Sequence, residues 1–239
     1  LSNNMKDILR SDSDGLVGKT AEYVRSLLVG EGSGHDWWHI YRVWKMSVRI
    51  AKEENANLLV VELGALLHDI ADWKFNDGDE EVGPAKARAW LQSLMVDEEV
   101  IAQVCQIVRD ISYKGAGVAT PMPTIEGQVV QDADRLDAIG AIGIARTFAY
   151  GGSKAREMYN PDQSPVLHQS FEQYKMGNGS TINHFYEKLL LLKERMNTAT
   201  AKRLAQHRHK VMEEFLDEFY LEWEGERWQV FCKICGKFL

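Results

Sequence analysis

Apolar residues in this chain recur mostly at intervals of three and four positions, the spacing that places them on one face of a helix. Runs of β-branched residues bounded by turns, which are typical of strands, are nearly absent. The pattern therefore predicts an all-α fold. No internal repeat, low-complexity tract or shift in composition divides the chain, so we expect a single domain, a compact helical bundle over residues 19–223, with residues 1–18 and 224–239 as terminal extensions.

One predicted helix, over residues 58–70, is apolar on nearly all sides and is therefore expected to run through the centre of the domain. The other predicted helices span residues 24–28, 40–51, 84–94, 98–111, 125–149 with a stop at the following glycines, 182–196 and 199–223. The segments 112–123 and 153–180 are rich in turn-forming residues, so we expect a loop in the first and a lid or surface excursion in the second.

Composition narrows the classes of function. Lys and Arg total 28 against 35 Asp and Glu, a net charge of −7, which disfavours extended nucleic-acid binding. No run approaches the roughly 18 apolar residues of a membrane span, so no membrane partner is expected. The 3 cysteines favour a reducing, cytoplasmic location, and Cys232 and Cys235 lack the second pair that a structural zinc site needs. Assembly into a homo-oligomer stays open.

His68 and Asp69 lie side by side at the end of the most apolar helix. Burying ionisable groups there costs free energy unless partners compensate them. Two interpretations are open. Either His68 caps the helix end while Asp69 pairs with an arginine, or both bind one cation, whose charge offsets the desolvation of the carboxylate.

Two further segments carry candidate ligands. His35 and His39 are four residues apart, hence on one face of a helix that has begun by His35, although beside two tryptophans such a pair is also typical of a core edge. Downstream, three acids occur within six residues of an otherwise apolar helix, where a solvated acidic face is the alternative interpretation. These acids are Asp132, Asp134 and Asp137.

Taken together, the phrases GHDWWHIYRV, LLHDIADWKF and VQDADRLDAIGAIGIAR resemble the HD-domain superfamily of metal-dependent phosphohydrolases. The likeness runs over residues 35–146 and continues through NHFYEKLLLL to AQHRHK, so the C-terminal helices of 180–223 are included. It implies an HD-domain helical bundle in which the metal ligands are His39, His68, Asp69 and Asp134. The residues alone do not choose Asp134 over its two neighbouring acids; that choice comes from the resemblance.

Two imidazoles and two carboxylates suit one divalent transition metal ion. We take Mn²⁺ as the preferred ion, with Fe²⁺, Co²⁺, Ni²⁺ or Zn²⁺ as alternatives and Mg²⁺ less suited because it prefers oxygen ligands. The chain has no histidine between His68 and Asp134, where dinuclear HD proteins carry additional ones, so a second metal is not expected.

The expected chemistry is hydrolysis of a phosphoester or phosphoanhydride without a covalent intermediate. Asp72 lies one helical turn beyond the ligand Asp69, so we expect it to act as general base or to orient water, unless it is a solvent-facing acid at the helix end. Candidate contacts to substrate phosphate are His35, Arg42, Lys74 and Lys114, with Arg109, His184 and Lys188 as further candidates.

The small standalone subgroup that the last two phrases resemble implies a nucleotide substrate, with release of pyrophosphate from a nucleoside triphosphate. A nucleoside monophosphate phosphatase uses a similar site and stays an alternative. A noncatalytic metal- or nucleotide-binding helical module is the alternative from another class.

Overall fold

The computed structural model describes residues 15–28, 36–71, 81–113, 116–167, 170, 173 and 179–225. Within these residues the structure is helical and has no strand, so the predicted all-α class is confirmed. The described helices are α1 (Leu16–Leu27), α2 (Trp37–Glu54), α3 (Leu58–Leu67), α4 (Val82–Ser93), α5 (Glu98–Asp110), α6 (Ile125–Asp137), α7 (Gly140–Ser153), α8 (Thr181–Glu187), a 3₁₀ helix (Leu189–Arg195) and α9 (Ala199–Trp223). The limits of the predicted domain, 19 and 223, stay a prediction.

Helix α3 lies at the centre, as its uniformly apolar sequence predicts. Asn57 begins it by accepting hydrogen bonds from the backbone N–H groups of Leu59 and Val60. All of its residues from Leu63 to Leu67 are buried, and α1, α2, α5 and α6 pack around it. The C-terminal end of this buried helix carries the His68–Asp69 pair, so the fold places that pair next to α2 and α6.

Helix α2 begins at Trp37 because Asp36 caps it. The Asp36 side chain accepts a hydrogen bond from the backbone N–H of His39 at 2.9 Å, which places His39 in the first turn. The helix ends at Asn55, whose φ of 56° is in the left-handed region. Helix α2 packs against both α3 and α6, and His39 in its first turn lies close to His68 and Asp134.

The prediction of a single helix over residues 125–149 is wrong. The chain forms α6 and α7 instead, with Ile139 in an extended conformation and Gly140 at a φ of 76°. Glycine adopts this left-handed conformation without the steric cost that a Cβ brings. Helix α7 also continues through Gly151 and Gly152 to Ser153, so these glycines do not end it.

The prediction of one helix over residues 182–196 is also wrong. The α-helix stops at Lys188, and a separate 3₁₀ helix follows. The last predicted helix matches α9. Its start is held by Asp132 of α6, a buried carboxylate that accepts hydrogen bonds from the backbone N–H groups of Asn197 and Thr198 at 2.8 Å.

The connections agree with the expected loops where they are described. Residues 116–123 contain no helix or strand, and residues 161–167 are exposed. In the described part of the chain, no helix combines the length and apolar character that a membrane crossing needs.

Candidate metal centre

Three helices bring His39, His68 and Asp134 together. The Nε2 atoms of the two imidazoles are 3.3 Å apart. Oδ1 of Asp134 lies 3.5 Å from Nε2 of His39 and 3.9 Å from Nε2 of His68. Side-chain ligand atoms of these three residues therefore lie within 4.8 Å of one another, although they come from the start of α2, the end of α3 and the last turn of α6.

Asp69 faces the same imidazoles. Its Oδ2 is 3.5 Å from Nε2 of His39 and 3.6 Å from Nε2 of His68. The imidazole side chains are only 1% exposed, whereas those of Asp69 and Asp134 are 18% and 35% exposed. The imidazoles therefore form a buried floor, and the site opens to solvent beside the carboxylates.

Hydrogen bonds assign the protons of both imidazoles. Nδ1 of His68 lies 2.8 Å from the carbonyl oxygen of Ala65, which can only accept, so Nδ1 is the donor. Nδ1 of His39 lies 2.8 Å from Oδ2 of Asp137 and donates in the same way. In its neutral form each imidazole therefore has an unprotonated Nε2 that faces the centre of the cluster, as a metal-binding histidine does. His68 thus caps α3 through one nitrogen and faces the cluster with the other.

The cluster fits a divalent cation. The Nε2 atoms of two neutral imidazoles lie close to the carboxylates of Asp69 and Asp134, and these acceptors repel one another unless a cation or a proton supplies a positive charge. Ligand atoms about 2.1 Å from one ion, at angles of 90–110°, are about 3.0–3.4 Å apart. The observed separations of 3.3–3.9 Å are close to this range.

The electrostatics of His39 agree with this fit. Burial disfavours its charged form, but hydrogen bonds to Asp137 and Asp69 outweigh burial and raise the pKa of His39 to about 9. Burial also favours the neutral form of Asp137, yet the hydrogen bonds from His39 and Arg42 hold the pKa of the Asp137 carboxyl well below its usual range. The site therefore favours a positive charge next to His39.

The three acids of α6 have three different sets of partners. The carboxylate of Asp132 is occupied by Asn197 and Thr198 at the start of α9. Asp137 lies on the Nδ1 side of His39, away from the cluster. Only Asp134 of the three faces the Nε2 atoms. The structure thus separates acids that residue types and spacing leave equivalent.

Sequence reasoning treated Asp137 only as an alternative ligand and did not single out Arg146. In the structure Arg42 donates to both oxygens of Asp137, from Nε at 2.7 Å and Nη2 at 3.0 Å. Arg146 donates from Nη1 to Oδ2 at 2.7 Å. An acid in an apolar helix with several arginines nearby indicates an ion pair, but the sequence does not show which arginine pairs with the acid.

The remaining predicted contacts are only partly described. His35, Asp72, Lys74, Lys114, Cys232 and Cys235 lie outside the described residues. Arg42 pairs with Asp137, and its predicted contact with substrate stays a prediction. Arg109 pairs with Glu81, which directly precedes α4, and Nζ of Lys188 lies 4.9 Å from the ring centre of Tyr113.

Comparison with known proteins gives consistent matches. The family model described as HD domain matches residues 37–139. The protein YpgQ of Bacillus subtilis (strain 168) is 39% identical over 195 residues, which cover 81% of this chain and 87% of YpgQ. The chain therefore shares most of its length with YpgQ.

Solved structures extend these matches to three dimensions. The crystal structure of an HD-superfamily hydrolase from Bacillus thuringiensis superposes with a TM-score of 0.69 and 44% identity over 88% of this chain and 97% of that chain. The crystal structure of Bacillus subtilis YpgQ in complex with ADP superposes with a TM-score of 0.67 and 34% identity. The match covers 86% of this chain and 97% of that chain. The chain therefore belongs to the HD-domain superfamily, because its helical architecture, its His68–Asp69 doublet and these matches all agree with that family.

Proposed function

We propose that this protein is a phosphohydrolase that depends on one divalent metal ion and acts on a small phosphorylated substrate. The observation that carries the proposal is the cluster of His39, His68 and Asp134, with Asp69 beside both imidazoles and one solvent-exposed side. A buried floor of nitrogen atoms and an open rim of carboxylates suit an ion that must be held firmly and still be approached by substrate.

The two imidazoles would hold the ion through Nε2, and Asp69 and Asp134 through their carboxylates. Mn²⁺ is our first choice, and Fe²⁺, Co²⁺, Ni²⁺, Zn²⁺ and Mg²⁺ are the other ions to test. When bound, such an ion supplies Lewis acidity to a phosphoryl oxygen and acidifies water. The buried His39 and His68 exclude bulk water from the floor, so substrate approaches from the side of Asp69 and Asp134.

Residues outside the described part of the chain are proposed to carry the remaining roles. We propose that Asp72, one turn beyond Asp69 in sequence, accepts the proton of the attacking water. His35, Lys74 and Lys114 are proposed to neutralise substrate phosphate. These two roles rest on sequence position and on the resemblance to HD hydrolases.

A nucleotide is the proposed substrate class. Support comes from the ADP in the crystal structure of YpgQ, which is similar to this chain over most of its length. We propose hydrolysis of a nucleoside triphosphate to the monophosphate and pyrophosphate, the activity implied by the small HD hydrolases that the motifs resemble. Dephosphorylation of a nucleoside monophosphate is the outcome to distinguish from it.

The test begins with metal analysis of the purified protein. Metal-depleted protein is then reloaded with Mn²⁺ and incubated with ribo- and deoxyribonucleoside triphosphates and monophosphates, and orthophosphate and pyrophosphate are separated by ion chromatography. We expect turnover of a triphosphate with release of pyrophosphate, lost in Asp69→Ala and kept in Asp217→Ala, a control at an exposed aspartate of α9. Stoichiometric metal with equal, negligible turnover in wild type and Asp69→Ala would instead indicate a noncatalytic binding module.

A further inference from the structure

One carboxylate beside the candidate metal centre binds side chains from two other helices. Asp137, at the end of α6, has a side chain that is only 5% exposed. It accepts from His39 and Arg42 of α2 and from Arg146 of α7. A buried carboxylate held at this many points has little freedom to rotate.

The two oxygens of Asp137 have different partners. Oδ1 accepts from Nε of Arg42 at 2.7 Å. Oδ2 accepts from Nη2 of Arg42 at 3.0 Å, from Nη1 of Arg146 at 2.7 Å and from Nδ1 of His39 at 2.8 Å. Because guanidinium groups only donate, both arginines keep the carboxylate turned so that Oδ2 meets the imidazole. His39 must then carry a proton on Nδ1, which leaves Nε2 available to a metal ion.

We propose that Asp137 is a positioning residue that orients His39 for metal binding, and that Arg42 and Arg146 fix Asp137 in that role. The inference rests on the proposed function in that it takes the cluster to bind a divalent cation. It concerns the affinity for that cation and assigns Arg42 to the support of the metal centre rather than to substrate.

The break between α6 and α7 is required for this arrangement. If α6 continued without interruption, the nine residues from Asp137 to Arg146 would advance about 13 Å along the helix axis, beyond the reach of an arginine side chain. The turn at Ile139 and Gly140 instead starts a new helix that brings Arg146 back to Asp137. The left-handed glycine at 140 therefore contributes to the support of His39.

Asp137→Asn tests the proposal with almost no change in volume. The amide oxygen is expected at the Oδ2 position, where three donors converge, so the NH₂ group meets the donating Nε of Arg42 and that guanidinium is displaced. Nδ1 of His39 then donates to a neutral amide that is held less firmly, so the imidazole is less basic at Nε2 and less well oriented for the metal. We expect the Mn²⁺ dissociation constant, measured from the electron paramagnetic resonance signal of free Mn²⁺, to rise about 10- to 100-fold.

Asp132→Asn is the matched control. Asp132 is a buried aspartate of the same helix, but it binds Asn197 and Thr198 instead of His39. Its asparagine variant is expected to lower the thermal unfolding midpoint and to leave the Mn²⁺ dissociation constant within about twofold of the wild-type value. Unchanged Mn²⁺ affinity in Asp137→Asn, or an equal loss in both variants, would overturn the proposal.

Arg42→Lys and Arg146→Lys are the milder variants, and they test the positioning role of Asp137 if Asp137→Asn does not fold. Each keeps its charge but loses the planar donor group, so we expect a several-fold weaker affinity for Mn²⁺ and an unchanged KM at saturating Mn²⁺. A higher KM with unchanged Mn²⁺ affinity in Arg42→Lys would overturn the assignment of Arg42 and indicate contact with substrate. Wild-type protein that binds Mn²⁺ but hydrolyses no nucleotide would refute the proposed function alone.

Discussion

The Nε2 atoms of His39 and His68 face each other at 3.3 Å, although both imidazoles use Nδ1 to donate to other groups. Two lone pairs at this distance, close to the carboxylates of Asp69 and Asp134, form an unfavourable arrangement in the absence of a positive charge. The fold stabilises this arrangement through Ala65 and Asp137, on the outer sides of the imidazoles. The metal-free protein therefore favours a proton on His39, whose pKa is raised to about 9, and a divalent cation would take the place of that proton.

Mn²⁺ is accordingly expected to raise the thermal unfolding midpoint, and a chelator should reverse the change. Free Mn²⁺ at a hundred times its dissociation constant would stabilise the folded protein by about 2.7 kcal/mol. Differential scanning fluorimetry measures the shift. His68→Asn, which removes one Nε2, should abolish the shift, and His207→Asn, at an exposed position of α9, should retain it. A wild-type shift in His68→Asn would exclude His68 as a ligand.

Gly140→Ala is expected to destabilise the protein by about 1–3 kcal/mol. A left-handed conformation costs a residue with Cβ about 1–2 kcal/mol, and a Cβ at this position would lie 3.0 Å from the side chain of Arg208. Urea unfolding followed by circular dichroism measures the loss. Gly152→Ala is the control, because a Cβ there meets nothing within 4 Å and alanine favours the helix by about 1 kcal/mol. Equal stability of the two variants would contradict the prediction.

Asp72→Asn is expected to bind stoichiometric Mn²⁺ and to lose about 100-fold or more in kcat, the scale typical of removing a general base. Elemental analysis and the pyrophosphate assay give the two values on one preparation. Asp217→Asn provides the control for loss of a surface carboxylate. An unimpaired rate in Asp72→Asn would reject the proposed role.

The contact between α2 and α9 predicts a dependence of stability on pH. The backbone N–H of Thr200 donates to Oε1 of Glu54 at 2.8 Å, and this hydrogen bond is the main cause that lowers the pKa of Glu54 below its ordinary value of 4.5. A carboxyl with a lowered folded-state pKa adds stability above the unfolded-state pKa and loses it as the pH falls through the folded-state value.

The difference in unfolding free energy between wild type and Glu54→Gln should therefore be constant from about pH 6 to 7 and shrink below about pH 4.5. Because Glu54 is only partly buried, the effect is expected to be small. Urea unfolding across this pH range measures it, with Glu222→Gln, at an exposed position of α9, as control. A difference that grows on acidification would contradict the assigned hydrogen bond.

Local patterns predicted most helices because apolar spacing reports directly on the buried face. The centre of the fold at α3 and the limits of α9 agree with the structure. The break before Gly140 was missed because glycine in an apolar run is equally typical of close helix packing, and only its φ distinguishes the two cases. The 3₁₀ helix after Lys188 was missed because both helix types place apolar residues at intervals of three.

The candidate centre shows a similar limit. The residue types of His39, His68 and Asp69 pointed to a cation, since buried ionisable groups need compensation. The choice of Asp134 among three acids depended on family resemblance. Asn197, which binds Asp132, lies 65 positions away, and Arg42 and His39, which bind Asp137, lie 95 and 98 positions away. Long-range pairing of this kind leaves no local pattern in one sequence.

Helix α6 has almost no freedom to adjust. At about 100° per residue, Asp134 and Asp137 point about 200° and 140° away from Asp132 around the helix axis, and each carboxylate meets a different part of the protein. Rotating or sliding the helix to improve one of these contacts would damage the other two. New substrate preferences could therefore arise through changes in the surrounding loops, while α6 stays in one register.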